Sequence, residues 1–207
     1  MNTPFTFPPV EKARFDGLLA SGGDLEPETL ELAYRSGIFP NFHSGQPIYW
    51  WSPDPRCVLF PDKLRISDSM RKVLRDDEFR FSVDEAFARV IHHCGMLNRR
   101  GQSITWIDKD MEAAYIRLHD LGLAHSFECW HGDELVGGLY GIRLERVFCG
   151  ESMFHRESNA SKFVFIRFVQ YLKRNGFELI DCQFHNKHLE SLGAEMMRRK
   201  DYLEYLK

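Results

Sequence analysis

The stretch from 146 to 184 constrains this chain most. Val147-Phe148-Cys149-Gly150-Glu151-Ser152-Met153-Phe154 is an apolar run broken by one glycine and one acid, and it reads as a strand. Ser158 is placed to be the N-cap of a helix that runs to about Arg174 and stops at Gly176. Arg167, Gln170 and Arg174 form one narrow polar stripe on that helix, so most of its surface must be covered. Glu178-Leu179-Ile180-Asp181-Cys182-Gln183-Phe184 then reads as a second strand. With the helix and two strands preceding it from about residue 108, this order suits a mixed sheet with helices packed on it, as in acyl-transferring folds of the acetyltransferase type.

Alternation in the second strand puts Asp181 and Gln183 on one face, roughly 6 to 7 Å apart by strand rise. Ile180, Cys182 and Phe184 take the other. An acid and an amide presented from an apolar strand need partners or a task, because buried polar groups must be satisfied.

Length and charge bound the rest. A chain of 207 residues holds one large domain or a small one joined to a medium one. At 43% apolar and 28% charged it has the composition of a water-soluble globular protein, and 14% aromatic residues imply a well-filled core or aromatic-lined pockets. A net charge of -3 leaves no global basic footprint, so a nucleic-acid partner must be met by a local patch. Cys57, Cys94, Cys129, Cys149 and Cys182 are scattered, odd in number and without a CxxC, which reads as reduced core thiols of a cytosolic protein. The opening Met1-Asn2-Thr3-Pro4-Phe5 is not a signal peptide, and no apolar run approaches the ~18 residues of a membrane span.

The chain divides into a small N-terminal domain, 1–57, and a larger domain, 58–207. In the first, 15–20 reads as a helical turn closed by Gly22-Gly23. Pro27 opens and Gly37 ends a second helix, with Leu30, Ala33 and Tyr34 on its apolar face. Trp50 and Trp51 lie between prolines and cannot both face one core if extended. In the second, helices are expected over 67–74, 84–94 and 108–120, a strand over 79–83, a mobile loop over 97–103, and a hairpin of 125–130 and 134–142 turning at His131-Gly132-Asp133. A short helix over 186–192 and a last helical turn close the chain.

Several chemistries fail. Gly150-Glu151-Ser152-Met153-Phe154 begins like a nucleophile elbow but lacks the second glycine. Cys182, His185 and His188 are spaced unlike a zinc finger or zincin, and read as a core thiol beside two histidines at a helix start, so no metal is expected. The strand-to-helix loop, 155–161, has no glycine to cradle a CoA pyrophosphate. Basic residues cluster at Arg71, Lys72 and Arg75, at Arg99 and Arg100, and at Arg198, Arg199 and Lys200. With Trp50, Trp51 and Trp106 they fit a site for phosphates and a stacked base.

These residues resemble a known family. Gly22-Gly23-Asp24-Leu25, Gly37-Ile38-Phe39-Pro40, Trp50-Trp51-Ser52-Pro53-Asp54-Pro55-Arg56, Phe148-Cys149-Gly150-Glu151-Ser152-Met153-Phe154, Asn159-Ala160-Ser161-Lys162 and Ile180-Asp181-Cys182-Gln183 are similar to motifs of the leucyl/phenylalanyl-tRNA–protein transferases. The resemblance runs from about Phe7 to Leu206. It implies an α+β molecule, a small N-terminal domain followed by an acetyltransferase-like (GNAT-type) domain with a mixed sheet flanked by helices. It implies transfer of Leu or Phe, and Met less well, from aminoacyl-tRNA to proteins whose N-terminus is Arg or Lys, making a signal for protein degradation. The ester is already activated, so neither ATP nor a metal cofactor is required. The expected protein is cytoplasmic, monomeric and free of membrane association.

By the same resemblance Asp181 polarises Gln183, which accepts from and orients the incoming amine, and Glu151 holds the donor's amino group. The proton leaves through Asp181, water or the terminal ribose hydroxyl. Leu139, Phe148, Met153, Phe165, Phe168 and Ile180 line the donor side-chain pocket, which a charged side chain enters only at high cost. Arg71, Lys72, Arg75, Arg99 and Arg100 meet the tRNA backbone. Trp106 stacks on the terminal adenine, with a family tryptophan at the position where this chain has Asn41. That loses one face of a sandwich worth ~1 to 3 kcal/mol per base, unless Trp50 or Phe42 substitutes. The chain also ends sooner than well-known members. The alternatives are a related transferase of other specificity, such as Arg onto acidic N-termini, and a non-catalytic tRNA- or peptide-binding module.

Overall fold

The computed structural model describes residues 6–76, 78–96 and 107–207. Phe5, the loop over 97–103 with Arg99 and Arg100, and Trp106 lie outside the described residues.

The first part is built around a three-stranded antiparallel sheet. Strand β1 is Leu18–Ser21, helix α1 Pro27–Arg35, β2 Phe39–Pro40 and β3 Tyr49–Trp51, with sheet order β1-β3-β2. Helix α1 begins at a proline whose missing N–H costs nothing there, and Gly37 follows it at φ 73°. The helical turn expected over 15–20 is instead β1. Leu18 and Ala20 pair with β3, and these partners outweigh a local preference that three or four residues express weakly.

The remaining strands form one seven-stranded mixed sheet. In chain order they are β4 Arg56–Leu59, β5 Arg80–Val83, β6 Ala124–His131, β7 Glu134–Arg143, β8 Val147–His155, β9 Leu179–Gln183 and β10 Glu195–Met197. Spatially the order is β10-β4-β9-β8-β7-β6-β5. Every neighbouring pair is antiparallel except β8 and β9. Those two are parallel because helix α5, Ala160–Arg174, crosses between them. The other helices are α2 Asp68–Val73, α3 Phe87–Gly95, α4 Lys109–Asp120, α6 Lys187–Ser191 and α7 Arg199–Glu204. Ser67, Asp108 and Asn186 cap α2, α4 and α6 through side-chain oxygens. Ser158 does not cap α5. Asn159 stands there in the left-handed region, at φ 68°, and no side chain closes the turn.

Alternation along the strands builds one apolar cluster on each face. Phe148 and Ile180 join Phe127, Phe163, Phe165 and Phe168 under α5. Val147, Cys149 and Leu179 join Tyr115 and Tyr140 on the opposite face, under α3 and α4. The second cluster runs on without a break into Leu30, Tyr34, Phe39 and Trp50 of the N-terminal sheet and Tyr202 of α7. Strand β4 starts at Arg56, before the expected division at 57/58, so the last residues of that segment are already part of the large sheet.

Candidate active site

A cavity of about 280 Å³ opens where β8, β9 and α6 meet the N-terminal sheet. Leu139, Met153, Phe165, Phe168 and Ile180 line it, with Glu151, Asp181 and Gln183 at its polar end and Pro40 and Asn41 from β2 and its exit. The structure therefore brings together five of the six residues expected for a donor pocket. The sixth, Phe148, is one layer deeper. It is buried, with its ring centroid 5.0 Å from that of Phe168 and 5.5 Å from that of Phe127. Strand parity puts Phe148 on the face covered by α5, but Phe168 lies between it and the space.

Two β-bulges shape the polar end. Tyr140 pairs with Ser152 and Gly141 with Gly150, so Glu151 is an extra residue without a partner on β7. Val58 pairs with Asp181 and Cys57 with Gln183, so Cys182 is the extra residue of β9. Gln183 then takes φ 63°. The simple alternation expected over 180–184 ends there. Cys182 packs with the cluster under α5, whereas Phe184 crosses to the other face, 5.2 Å from Phe39 and 5.7 Å from Trp51 between ring centroids.

Asp181 is completely buried, and its carboxylate is fully engaged. Arg56 donates Nε at 2.7 Å to Oδ1 and Nη2 at 2.6 Å to Oδ2. The Tyr202 hydroxyl donates at 2.9 Å, and the backbone N–H of Gln183 donates at 2.9 Å. Arg56 is itself buried between the rings of Phe39 and Tyr202, 4.5 and 4.8 Å from their centroids, and donates to the Gly37 carbonyl. Burial works against its charge, but the facing Asp181 carboxylate more than offsets this and holds its pKa above the ordinary value. Asp181 thus reaches Gln183 through the main chain. The polarised side-chain pair expected from the sequence is replaced by a carboxylate that fixes the backbone turn carrying Gln183.

The Gln183 side chain is held from the opposite direction. Its Nε2 donates to Glu151 Oε1 at 2.7 Å, which turns the amide carbonyl away from Glu151. Glu151 Oε2 accepts from the Tyr115 hydroxyl at 3.3 Å, and Tyr115 in turn shares a short hydrogen bond with Tyr34. Burial pushes Glu151 up to about 8; Tyr34 opposes that rise by hydrogen bonding, the Asp181 charge adds to it, and hydrogen bonds from Tyr115 and Gln183 oppose it. At neutral pH this carboxyl therefore favours its protonated form, and a cation placed against it would favour the ionised form.

Other expected contacts are distributed differently. Arg71, Lys72 and Arg75 lie exposed on and just after α2, with Arg71 3.7 Å from Asp68. The Asn41 carbonyl accepts from the Trp51 indole at 2.7 Å. Trp50 and Phe42 are both buried, and Trp50 donates to the Gly22 carbonyl, so neither offers an open ring face beside Asn41. No group of three or more metal-binding side chains occurs among the described residues. All five cysteines are free thiols, and no described helix is long and apolar enough to cross a membrane.

Sequence reasoning missed Arg56, Tyr34, Tyr115 and Tyr202. The signal for Arg56 was present: an acid in an apolar strand demands a partner, and an arginine at the end of Ser52-Pro53-Asp54-Pro55-Arg56 enters the next strand. The three tyrosines were hidden because each sits at an apolar position of its helix, where the ring packs and only the hydroxyl tip is polar.

Comparison with known proteins places this geometry in context. Residues 58–207 match the sequence model of the leucyl/phenylalanyl-tRNA protein transferase family, and residues 23–54 match the N-terminal domain of the same transferases. The leucyl/phenylalanyl-tRNA–protein transferase of Flavobacterium johnsoniae is 53% identical over 201 residues, spanning 97% of this chain and 95% of that protein. The one from Christiangramia forsetii is 52% identical over 208 aligned positions, spanning 100% and 98%. The one from Syntrophobacter fumaroxidans is 54% identical over 200, spanning 97% and 86%. Among solved structures, a GCN5-related N-acetyltransferase from Kribbella flavida is 10% identical with a TM-score of 0.41, covering 83% of this chain and 61% of that one. The L-PGS of Bacillus licheniformis is 15% identical with a TM-score of 0.42, covering 78% and 52%. With both halves matched by the family's models and relatives about half identical along nearly the whole length, this chain belongs to the leucyl/phenylalanyl-tRNA–protein transferase family.

Proposed function

We propose that this protein transfers leucine or phenylalanine, and methionine less well, from aminoacyl-tRNA to the N-terminal arginine or lysine of acceptor proteins, forming a peptide bond and a degradation signal. The observation that carries the reading is the Gln183 amide, pinned by Glu151 at the mouth of an apolar cavity with its carbonyl left to accept. The donor's side chain occupies the space between Leu139, Met153, Phe165, Phe168 and Ile180, which suits an unbranched or γ-branched apolar group. Its α-ammonium faces Glu151, whose proton is released as the ion pair forms.

The acceptor is an α-amine with an ordinary pKa of ~8. In its neutral form it donates an N–H to the Gln183 carbonyl, which aims the nitrogen lone pair at the ester carbon. Attack forms the C–N bond and a tetrahedral oxyanion. Collapse breaks the ester C–O bond, and the departing ribose oxygen takes up the proton lost by the nitrogen. Asp181, its carboxylate engaged by Arg56, Tyr202 and the Gln183 N–H, holds the turn that sets Gln183. Arg71, Lys72 and Arg75 offer the tRNA backbone an exposed basic face. We place the protein in the cytoplasm as a monomer, in keeping with its free thiols.

The test is direct. Purified protein is incubated with Phe-, Leu-, Met- and Arg-tRNA and with peptides beginning Arg, Lys, Asp or Ala, and products are read by mass. Addition of Leu or Phe to Arg and Lys peptides alone is expected. Addition of Arg to Asp peptides would mean another specificity on the same fold, and tRNA binding with no addition would mean a binding module.

A further inference from the structure

On the far flank of α5, away from the cavity, a groove of about 450 Å³ lies between that helix and the edge strand β5. Phe79, Arg80, Phe81, Phe163, Arg167 and Arg174 line it. Three guanidinium groups thus converge among three phenyl rings, and no lining residue is acidic. Phe163, Arg167 and Arg174 recur on one side of the helix at intervals of four and seven, which keeps them in a single stripe. Arg167 donates Nη2 to the Leu74 carbonyl at 3.0 Å and stands 5.5 Å from the Phe163 ring centroid. Leu74 ends α2, so the groove continues from the exposed face of Arg71, Lys72 and Arg75. Arg80 is shared with Glu85, at 2.9 Å, in an exposed pair that water and salt already weaken. Arg174 is exposed at the end of the helix.

Like charges gathered in one groove raise each other's energy, and an anion relieves that cost. Planar guanidinium groups match phosphate oxygens, and the half-buried Phe81 ring beside them offers apolar contact to a ribose, whereas Phe79 and Phe163 are buried. An isolated carboxylate would use the groove's cations alone, whereas a phosphodiester backbone can follow them on to the exposed Arg71, Lys72 and Arg75. We propose that the groove between α5 and β5 is a second phosphate-binding subsite for the body of the donor tRNA, continuing the basic face of α2. This rests on the aminoacyl-tRNA donor proposed above.

Arg174→Ala is the test variant, and Lys173→Ala is its control. Lys173 is the adjacent residue, equally charged and exposed, but it pairs with Asp62 at 2.6 Å and lies outside the groove. Thermal unfolding establishes that both variants fold. Affinity for full-length tRNA is then measured between about 50 and 200 mM salt, where each phosphate contact contributes a slope near -0.9 in log K against log[salt]. Arg174→Ala is expected to weaken binding roughly five- to tenfold near 0.1 M salt and to reduce the slope by about one, with a further unit lost in Arg80→Ala/Arg174→Ala. Lys173→Ala should match wild type. Transfer from a short aminoacylated oligonucleotide that mimics only the 3′ end should be unchanged in all variants. Equal effects of Arg174→Ala and Lys173→Ala would overturn the proposal. So would unchanged tRNA affinity with a raised KM for acceptor protein, which would assign the groove to an acidic segment of the acceptor. If wild-type protein transfers from neither full tRNA nor the mimic, it is the donor reading itself that falls.

Discussion

Gln183 and Asp181 are adjacent in the candidate site but answer to different demands, and mutation should separate them. Gln183→Ala removes only the side-chain amide, in a backbone conformation that costs both non-glycine residues alike. Transfer should fall about 10²-fold in kcat, the scale of a lost positioning contact, while the urea midpoint falls less than in Asp181→Ala, because only the bond to Glu151 is lost. Asp181→Ala leaves the Arg56 charge buried without its partner, which costs about 3–5 kcal/mol. A large drop in the urea midpoint is expected there, so lost turnover in that variant reports stability as well as chemistry. Glu151 carries a pH signature. Its pKa rises from an ordinary 4.5 to about 8 on folding, so between these values the folded protein binds more protons than the unfolded chain. Stability must therefore decline as pH rises through that window. In Glu151→Gln the Gln183 amide retains an acceptor and the pH dependence disappears. Thermal midpoints of wild type minus variant, followed from pH 5 to pH 9, should fall toward about pH 8 and then level. A flat difference would refute the assignment.

Among the elements, the two bulges decide where function sits. Glu151 is the unpaired residue of β8, and Cys182 that of β9. The β8 bulge depends on Gly141, where a Cβ would lie 2.1 Å from the Cys149 carbonyl oxygen and 2.5 Å from the Phe148 ring. Gly141→Ala should force β7 and β8 apart, destabilise the protein by about 1–3 kcal/mol, and lower donor affinity because Glu151 moves with the bulge. Equilibrium unfolding and tRNA-dependent transfer check both effects. Helices α1, α2, α4 and α5 and the β6–β7 hairpin were legible because caps, glycine stops and hydrophobic period are written within a few residues. The bulges were not, because an extra residue is defined only against the partner strand. Nothing within 180–184 marks Gln183 for a left-handed turn that sends Phe184 to the opposite face.

At the scale of the molecule, the site is closed by parts far apart in the chain. Arg56 comes from the first strand of the large sheet and Tyr202 from the last helix, and both end on Asp181. Tyr34 and Tyr115, from α1 and α4, continue the network behind Glu151. Helix α7 thus supports the site from behind Asp181, and Leu203 and Tyr202 lie against Gly37 beyond α1. Tyr202→Phe keeps the ring over Arg56 and removes one hydrogen bond to a charged acceptor, which should cost about 1.5–3 kcal/mol. The urea midpoint should fall with its slope unchanged, and transfer should weaken even though Tyr202 touches no substrate.

The sequence by itself determined the α+β class, most helices and the crossover from 146 to 184, because these rest on residue type and short spacing, and its family resemblance pointed to Glu151, Asp181 and Gln183. The family resemblance, not strand parity or helical period, named the five residues that the structure places around the cavity. Only the tertiary structure decided that Phe148 lies behind the cavity, that Asp181 is held by Arg56 and Tyr202, and that Gln183 is held by Glu151. Each of those depends on which distant group fills the space opposite. A buried polar atom announces from sequence that it needs a partner, but the partner is chosen by the packing of elements that lie 21 to 125 residues apart along the chain.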